Sequence, residues 1–292
     1  MTFKKEKPIH SLIAGTTVGA VEAFVTYPTE FVKTRSQFGG QREPPLTIIR
    51  STLRDKGVTG LYSGCLALVI GNSVKAGVRF ASYDHFKSIL ADQQGNVSAP
   101  KSLLAGLGAG MIEAVVAVTP SETIKTKMID DAKRPNPQYR GLAHGTMSII
   151  RQEGILGIYR GLFPVMMRQG ANSAVRFTTY TTLKQFVQGT TRPGRQLPPG
   201  ITFAIGAVAG LVTVYATQPL DVIKTRMQSL SARQQYRNSF HCAYRILTEE
   251  GIFRFWNGTT PRLARLVVSG GLVFTLYEKI ISVIGGREQD TR

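Results

Sequence analysis

The strongest constraint on the fold is a phrase of eight residues that occurs three times in the chain. In each copy a proline is followed two residues later by an acid and three residues after that by a base. The copies are Pro28 to Arg35 (PTEFVKTR), Pro120 to Lys127 (PSETIKTK) and Pro219 to Arg226 (PLDVIKTR), about a hundred residues apart. Self-similarity at a fixed period indicates stacked structural repeats. We therefore predict three copies of one unit, over residues 8–97, 98–192 and 198–286, within one integrated domain.

Charge and hydropathy point to different partners. The formal net charge of +18 would favour a nucleic-acid-binding protein. However, 42% of the residues are apolar, and the run from Gln196 to Leu220 has no charge and is long enough to cross a bilayer as a helix. We therefore favour an all-α membrane protein over a basic helical repeat protein that binds nucleic acid, which stays open as an alternative.

The other candidate spans contain isolated charges. Ionisable side chains in apolar helices are costly and usually face the interior of a bundle or a wet cavity. This pattern favours a transporter. The charges concerned are Glu22, Lys75, Arg79, Glu113, Arg168 and Arg176.

Each unit reads as a long helix through the proline, a polar loop, a short amphipathic helix and a second long helix. The proline should kink the first helix, because its ring removes a backbone donor. Six membrane spans and three short helices follow from this pattern. The second unit has one residue more between Glu113 and Pro120 than the first has between Glu22 and Pro28, which predicts a helical bulge there.

A second repeated phrase fixes the register of the three units. Gly57, Gly154 and Gly251 are each followed five residues later by an aromatic residue and two residues after that by a second glycine, at 64, 161 and 258. Counting seven residues on from that second glycine, and then stepping by four along one helical face, gives one set of positions per unit. We call these sets the polar stripes: Gly71, Lys75, Arg79; Arg168, Asn172, Arg176; Arg265, Ser269, Val273.

The polar stripes hold five cations and no acid. Guanidinium groups bind carboxylates bidentately, and lysine adds a point charge. The stripes therefore predict a cavity for a compact polyanion, with Arg262, one turn before Arg265, as a sixth candidate. Alternatively, some of these cations reach to a membrane interface or pair with Glu22 and Glu113.

The sequence indicates no enzyme. We find no nucleophile with a base, no cluster of metal ligands and no phosphate-binding loop, so we expect no metal and no cofactor. Cys65 and Cys242 lie far apart, and we predict that they are reduced and structural. The segment Met1 to Lys7 is too short and too charged for a signal peptide, so targeting information should be internal.

The two threefold phrases resemble those of the mitochondrial carrier family over nearly the whole chain. The resemblance implies six transmembrane helices in a pseudo-threefold barrel, with three short amphipathic helices on the matrix side, and exchange of solutes by alternating access. It also implies a ring of ion pairs, the matrix gate, braced by glutamines nine residues after the proline; Ile129 replaces the third brace. The gate residues would be Glu30, Lys33, Glu122, Lys125, Asp221 and Lys224, with the braces Gln37 and Gln228.

On the opposite side the family has an aromatic-acid-x-x-base phrase in each even-numbered span. It is complete at Asp84 and Lys87, lacks its acid before Lys184, and lacks its base after Glu278. These four residues would form a cytoplasmic gate with fewer ion pairs than the matrix gate. We therefore predict that the resting carrier opens more readily toward the intermembrane space.

The sequence around the polar stripes is similar to the tricarboxylate carrier branch of this family. That similarity implies exchange of citrate or isocitrate for malate or another di- or tricarboxylate; a dicarboxylate or oxoglutarate carrier of the same family is the alternative. The implied substrate-binding residues are Gly71, Asn72, Lys75, Arg79, Arg168, Gln169, Asn172, Arg176, Arg262, Arg265 and Ser269.

Orientation follows from the distribution of bases. The long loops inside the units carry many arginines and lysines, and the connections between units carry few. The positive-inside tendency then places the long loops in the matrix and both termini toward the intermembrane space. We expect a monomer in the inner mitochondrial membrane, with membrane lipid, including cardiolipin, as a candidate partner and without nucleic acid.

Overall fold

The computed structural model describes residues 8–39, 43–90, 106, 108–134, 136–191 and 197–269. Within these ranges the chain is helical and has no β-strand, as the sequence predicted. The helices are α1 (Pro8–Gln37), α2 (Pro45–Gly60), α3 (Cys65–Leu90), α4 (108–131), α5 (Leu142–Glu153), α6 (Leu162–Thr191), α7 (Pro199–Met227), α8 (Ser239–Arg245, continued as a π-helix over Ile246–Glu250) and α9 (259–269). The predicted unit boundaries at 97, 98, 192 and 286 lie outside the described residues.

The predicted bulge in the second unit is a π-helical turn. In α4 the segment Ala114–Val118 is π-helical and lies directly before the α-helix Thr119–Asp131. A π-turn takes up one extra residue without ending the helix. The insertion is therefore absorbed before Pro120, and the charged phrase keeps the same helical register as in the other two units. The first and third phrases lie in α1 and α7, which continue as helices through Pro28 and Pro219.

Local signals explain where the short helices begin and end. Asn238 caps α8, because its side-chain oxygen accepts a hydrogen bond from the His241 backbone N–H at 2.8 Å. Proline occupies the first turn of α2 and of α7, where its missing N–H costs nothing. Positive φ angles of 64°, 74° and 88° occur at Gly57, which interrupts α2 near its end, and at Gly154 and Gly251, which directly follow α5 and α8. Glycine adopts this left-handed conformation without steric cost.

The second glycine of each aromatic-x-Gly phrase brings two units into contact. Gly64, Gly161 and Gly258 have φ angles of 83°, 93° and 81°. A Cβ atom at Gly64 or Gly258 would lie 3.0 Å from the carbonyl oxygen of Lys125 or Lys33, respectively. At Gly161 it would lie 3.1 Å from Cγ of Gln228. The second repeated phrase thus places the start of one unit's second long helix against the charged phrase of another unit.

Replacing Gly258 by alanine is expected to destabilise the protein. The new Cβ would meet the Lys33 carbonyl oxygen, and the backbone would hold a left-handed conformation that costs about 1–3 kcal/mol for other residues. Thermal unfolding in detergent measures the loss. Gly170→Ala is the matched control, since no atom lies within 4 Å of its Cβ and alanine favours a helix interior. A Gly258→Ala protein as stable as the control would contradict this assignment.

Apolar side chains pack where each short helix meets the long helices. One cluster contains Tyr27, Phe31, Ile48 and Leu61 of the first unit together with Ile129 of the second. Ile129 occupies the position of the third glutamine brace and has no exposed surface. Burial of this side chain contributes to stability through the hydrophobic effect. The missing brace is therefore replaced by an apolar contact between the first two units.

Each of the first five long helices contacts the next one along the chain, and the fifth contacts the first. Contacts join α1 to α3, α3 to α4, α4 to α6, α6 to α7, and α7 to α1. Leu266 of α9 lies 3.3 Å from the position of a Cβ on Gly210 of α7, and Arg265 and Ser269 of α9 bond to acids of α1. Helices of all three units therefore pack together in one contiguous structure.

Among the residues that the structure describes, Gly200–Met227 of α7 is the one helix that alone is long and apolar enough to cross a membrane; α2 and α3 meet the same measure together, across a bend. This helix includes most of the uncharged run seen in the sequence. Cys65 and Cys242 are buried free thiols, as predicted. Burial raises the pKa of the Cys242 thiol to about 12, which makes it a poor nucleophile at neutral pH.

Candidate functional site

The six charged residues of the proline phrases meet in a ring of ion pairs. Each short bond joins two different units. Lys33 and Asp221 join the first unit to the third, Lys125 and Glu30 the second to the first, and Lys224 and Glu122 the third to the second, with N–O distances of 2.6, 2.8 and 2.7 Å. All three pairs that the family resemblance implied are present in this conformation.

The ring is almost completely removed from solvent. The side chains of Asp221 and Lys125 are 1% and 3% exposed, and Glu122 is the most accessible member at 16%. Breaking a buried ion pair by removing one partner leaves an uncompensated charge, which costs about 3–5 kcal/mol. The intact ring therefore links the three units strongly.

Two glutamines support the ring, as the resemblance implied. The Gln37 side chain donates to Asp221 Oδ2 at 3.4 Å and accepts a hydrogen bond from the Thr225 hydroxyl at 2.7 Å. Gln228 accepts a longer hydrogen bond, 3.5 Å, from the Thr126 hydroxyl. Both glutamines link different units, so they add to the inter-unit contacts that the ion pairs provide.

Arg168 and Arg265 of the polar stripes contact the carboxylates of this ring. Arg265 Nη1 donates to Glu30 Oε2 at 2.6 Å. Arg168 lies between two acids, with nitrogen atoms 3.7 Å from Glu122 and 3.4 Å from Asp221. The structure therefore couples two predicted substrate-binding residues directly to the predicted gate, which the sequence did not indicate.

Acids from neighbouring helices pair with three stripe cations, Lys75, Arg79 and Arg265. Glu113 is fully buried and lies 3.5 Å from both Lys75 and Arg79. Glu22 accepts a 2.5 Å hydrogen bond from the Ser269 hydroxyl and lies 4.0 Å from Arg265. The stripes themselves contain no acid, as the sequence showed. However, the alternative in which Glu22 and Glu113 pair with these cations is the one found in this conformation.

Two predicted substrate-binding residues have structural contacts instead of open surroundings. Arg262 donates to the side chains of Thr217 and Gln218 in α7, at 2.9 Å each, and lies 3.7 Å from Asp221. Gly71 is buried, and a Cβ atom there would lie 2.4 Å from the Ser121 Cβ. Neither position is open in this conformation, and substrate contact at Gly71 and Arg262 stays a prediction. Arg262 holds α9 to α7, and Gly71 allows α3 to approach α4 closely.

Four other predicted substrate-binding positions are more accessible. Asn72 and Arg176 are exposed, and Gln169 and Asn172 are half-buried. Arg176 forms no ion pair with any residue that the structure describes. These four positions remain predicted contacts for a bound solute.

The predicted cytoplasmic gate is not formed among the described residues. Asp84, Lys87 and Lys184 are all exposed, and within the described ranges none of them pairs with an opposite charge. Glu278 lies outside those ranges. The structure thus combines a complete ring of ion pairs at the proline phrases with no ion pair at Asp84, Lys87 or Lys184 within the described ranges, while the preferred resting conformation stays a prediction.

Sequence reasoning missed the polar contacts of Arg262 and the brace partner Thr225. Thr217 and Gln218 lie directly before Pro219, where the other units have Thr26-Tyr27 and Val118-Thr119. Because the pair occurs in one unit only, comparison of the repeats could not identify its role. Thr225 does have counterparts at Thr34 and Thr126, and that recurrence is a signal that could have indicated it.

Comparison with known proteins gives concordant matches over the whole chain. The family model for mitochondrial carrier proteins matches residues 4–94, 95–191 and 195–288. The mitochondrial citrate transporter A of Aspergillus niger is 50% identical over 292 residues, covering 99% of this chain and 97% of that protein. The tricarboxylate transport protein of Saccharomyces cerevisiae is 46% identical, covering 95% and 96%. The mitochondrial tricarboxylate transport protein of Homo sapiens is 41% identical, covering 96% and 91%.

Three matches to the family model, a threefold charged phrase and a closed ring of inter-unit ion pairs all agree. This chain belongs to the mitochondrial carrier family.

Proposed function

We propose that this protein exchanges citrate or isocitrate for malate or another di- or tricarboxylate across the inner mitochondrial membrane. The observation that carries the proposal is the cluster of stripe cations in contact with the matrix gate. Relatives that are 41–50% identical over nearly their full length are named citrate or tricarboxylate transporters, which supports the same substrate class here.

The charge of the site favours a tricarboxylate over a dicarboxylate. The gate and the polar stripes, together with Arg262 and the two acids Glu22 and Glu113, contain nine cations and five carboxylates, which leaves a net charge of +4. A citrate trianion compensates more of this charge than a dicarboxylate does. Uncompensated charge in a site of restricted hydration is costly. A dicarboxylate carrier would need fewer cations.

The contacts of Arg168 and Arg265 suggest how binding is coupled to transport. Both arginines bind gate carboxylates in this conformation, so an incoming tricarboxylate competes with Glu30, Glu122 and Asp221 for the same guanidinium groups. Substrate that takes over the arginines weakens the closed ring and shifts the equilibrium toward opening on the matrix side. The shift equals the difference in the binding free energies of substrate to the two conformations.

This mechanism requires the six-span barrel that the family implies, with three units related by a pseudo-threefold axis. We place the short helices α2, α5 and α8 with the closed ring on the matrix side, and both termini toward the intermembrane space. The arginine-rich loops next to these helices favour that orientation. Membership of the carrier family favours this arrangement over a nucleic-acid-binding repeat protein.

An exchange panel in liposomes tests the proposed function. Purified protein is loaded with unlabelled malate and supplied with labelled citrate, isocitrate, oxoglutarate, phosphate or ATP. We expect saturable uptake of citrate and isocitrate that depends on internal counter-substrate, with no uptake of ATP. Citrate should also compete with malate uptake. Malate and oxoglutarate exchange that citrate does not inhibit would instead indicate a dicarboxylate or oxoglutarate carrier.

A further inference from the structure

The first unit lacks an ion pair that the other two units share. Two positions are compared in each unit. The first is the base two residues after the gate lysine, and the second is the residue directly before Gly57, Gly154 or Gly251. In the second unit these residues are Lys127 and Glu153, which form a salt bridge. In the third they are Arg226 and Glu250, which are joined by two hydrogen bonds, one of 2.9 Å. In the first unit both are cations, Arg35 and Lys56.

Arg35 is therefore left with weak compensation for its charge. Its side chain is only 10% exposed, and Glu43, which is 39% exposed, lies 3.6 Å away. The guanidinium also lies 5.9 Å from the centre of the Phe31 ring. A mostly buried guanidinium usually binds a carboxylate or phosphate through several hydrogen bonds. The acid that supplies these bonds in the third unit is replaced here by Lys56.

Lys56 contacts the second unit instead of Arg35. Its ammonium group donates to the carbonyl oxygens of Ala132 and Arg134, at 2.5 and 3.0 Å. Burial lowers the pKa of Lys56, and the positive charge of Arg35 lowers it further, while Asp131 acts in the opposite direction. The two cations thus lie close enough to repel each other, and no salt bridge joins Lys56 to an acid among the described residues.

A cavity of about 340 Å³ lies at this position. It is bounded by the end of α1, one face of α2 and the loop after α4. Its lining contains four cations and a single acid, Asp55, which itself lies 3.1 Å from Arg54. The lining residues are Arg35, Ser51, Thr52, Asp55, Lys56, Ala132, Lys133 and Arg134.

We propose that this cavity binds a compact oxyanion of the phosphate class on the matrix side, separate from the transported substrate. The bound anion takes the place of the missing acid and neutralises Arg35 and Lys56. A tetrahedral phosphate suits the site better than one carboxylate, because cationic donors approach from three elements and need several acceptor oxygens. Ser51 and Thr52 of the lining add hydroxyl groups. The phosphate belongs either to a free anion or to a lipid headgroup.

Binding has a conformational consequence. The cavity is formed by the first unit and by the loop of the second unit, in a conformation whose matrix gate is closed. An anion that contacts both units stabilises that conformation relative to one in which the units separate. Phosphate-class anions on the matrix side therefore favour the state open toward the intermembrane space.

Thermal unfolding with pyrophosphate as the probe tests the proposal. Protein in a neutral detergent without phospholipid is titrated at constant ionic strength, with chloride as the balancing anion. We expect a saturable rise in the unfolding temperature of the wild type. Lys56→Glu introduces the acid that the other two units have at this position. It should weaken the affinity for pyrophosphate by about tenfold or more, a loss of about 1.4 kcal/mol. Arg35→Gln, which removes one donor, should weaken it as well.

Two comparisons separate this site from the transport site. Lys75→Ala, which alters the polar stripes, should keep the full pyrophosphate effect. Lys56→Glu should retain citrate exchange within about twofold, because Lys56 belongs neither to the polar stripes nor to the ring of ion pairs. A parallel titration with a short-chain phosphatidic acid distinguishes the sources. If phosphatidic acid raises the unfolding temperature, pyrophosphate does not, and Lys56→Glu abolishes the lipid effect, the site is assigned to a lipid headgroup. An unchanged pyrophosphate effect in both Lys56→Glu and Arg35→Gln, or its loss in Lys75→Ala, would overturn the proposal.

Discussion

Replacing Arg168 by alanine is expected to reduce citrate exchange about 100-fold or more. The guanidinium lies between Glu122 and Asp221 and is 18% exposed, so it can pass from the gate acids to a substrate carboxylate. Two hydrogen bonds between charged groups contribute about 3 kcal/mol or more, and each 1.4 kcal/mol is a factor of ten in affinity. Liposome exchange of labelled citrate measures the loss.

Arg168→Lys and Arg54→Ala are the informative controls. Lysine keeps the charge but lacks the planar fork that binds a carboxylate bidentately, so this variant should retain partial exchange. Arg54 is 81% exposed on the short helix α2, and its replacement should leave the rate unchanged. Lys75→Ala should also reduce exchange. Among the described residues it leaves Arg79 as the cation that pairs with the buried Glu113. Wild-type rates in Arg168→Ala protein that is folded would refute the proposed site.

Replacing Asp221 by asparagine is expected to open the matrix gate more than any other neutralising change in the ring. Four cations lie within 4.0 Å of its carboxylate: Lys33 at 2.6 Å, Arg168 at 3.4 Å, Arg262 at 3.7 Å and Lys224 at 3.9 Å. Removal of a buried charge with such partners costs the closed state about 3–5 kcal/mol. Glu122 has two such partners and is more exposed, so Glu122→Gln should have a smaller effect.

Accessibility labelling measures this opening. A cysteine introduced at Thr126, which is 2% exposed beside the Gln228 brace, reports access from the matrix side to a membrane-impermeant thiol reagent. The two native cysteines are buried and contribute little background. Labelling should be low in the otherwise unchanged protein and in Glu249→Gln, an exposed carboxylate paired with Arg245. It should be high in Asp221→Asn. Equal labelling of the Asp221→Asn and Glu249→Gln proteins would contradict a closed gate centred on Asp221.

The local features of the fold were predictable because each of them depends on a short stretch of sequence. The glycines at the ends of the short helices and the capping Asn238 act through their own backbone or nearest neighbours. The π-turn before Pro120 followed from a single extra residue. The residues of the gate could also be identified from the sequence, because three copies of one phrase show which charged residues are equivalent.

Repetition also has a limit as a source of information. It cannot identify what one unit has and the others lack, such as the Thr217 and Gln218 contacts of Arg262. Where the family resemblance implied equivalent positions, the structure distinguishes Gly71, which is a packing contact, from Arg168 and Arg265, which contact gate acids. These differences depend on side chains of adjacent helices, and sequence spacing within one unit does not describe them.

The sequence by itself determined the three units, their helices, the charges of the gate and the excess of cations along the polar stripes. Only the tertiary structure decided which acid meets which base. Glu30 lies one helical turn from Lys33, yet that distance is 3.9 Å, whereas the bond from Glu30 to Lys125 of another unit is 2.8 Å. Neighbours on one helix project side by side, while residues on facing helices point at each other. The shortest pairs of the ring, and the contacts of Arg168 and Arg265 with its carboxylates, therefore arise only when the three units pack together.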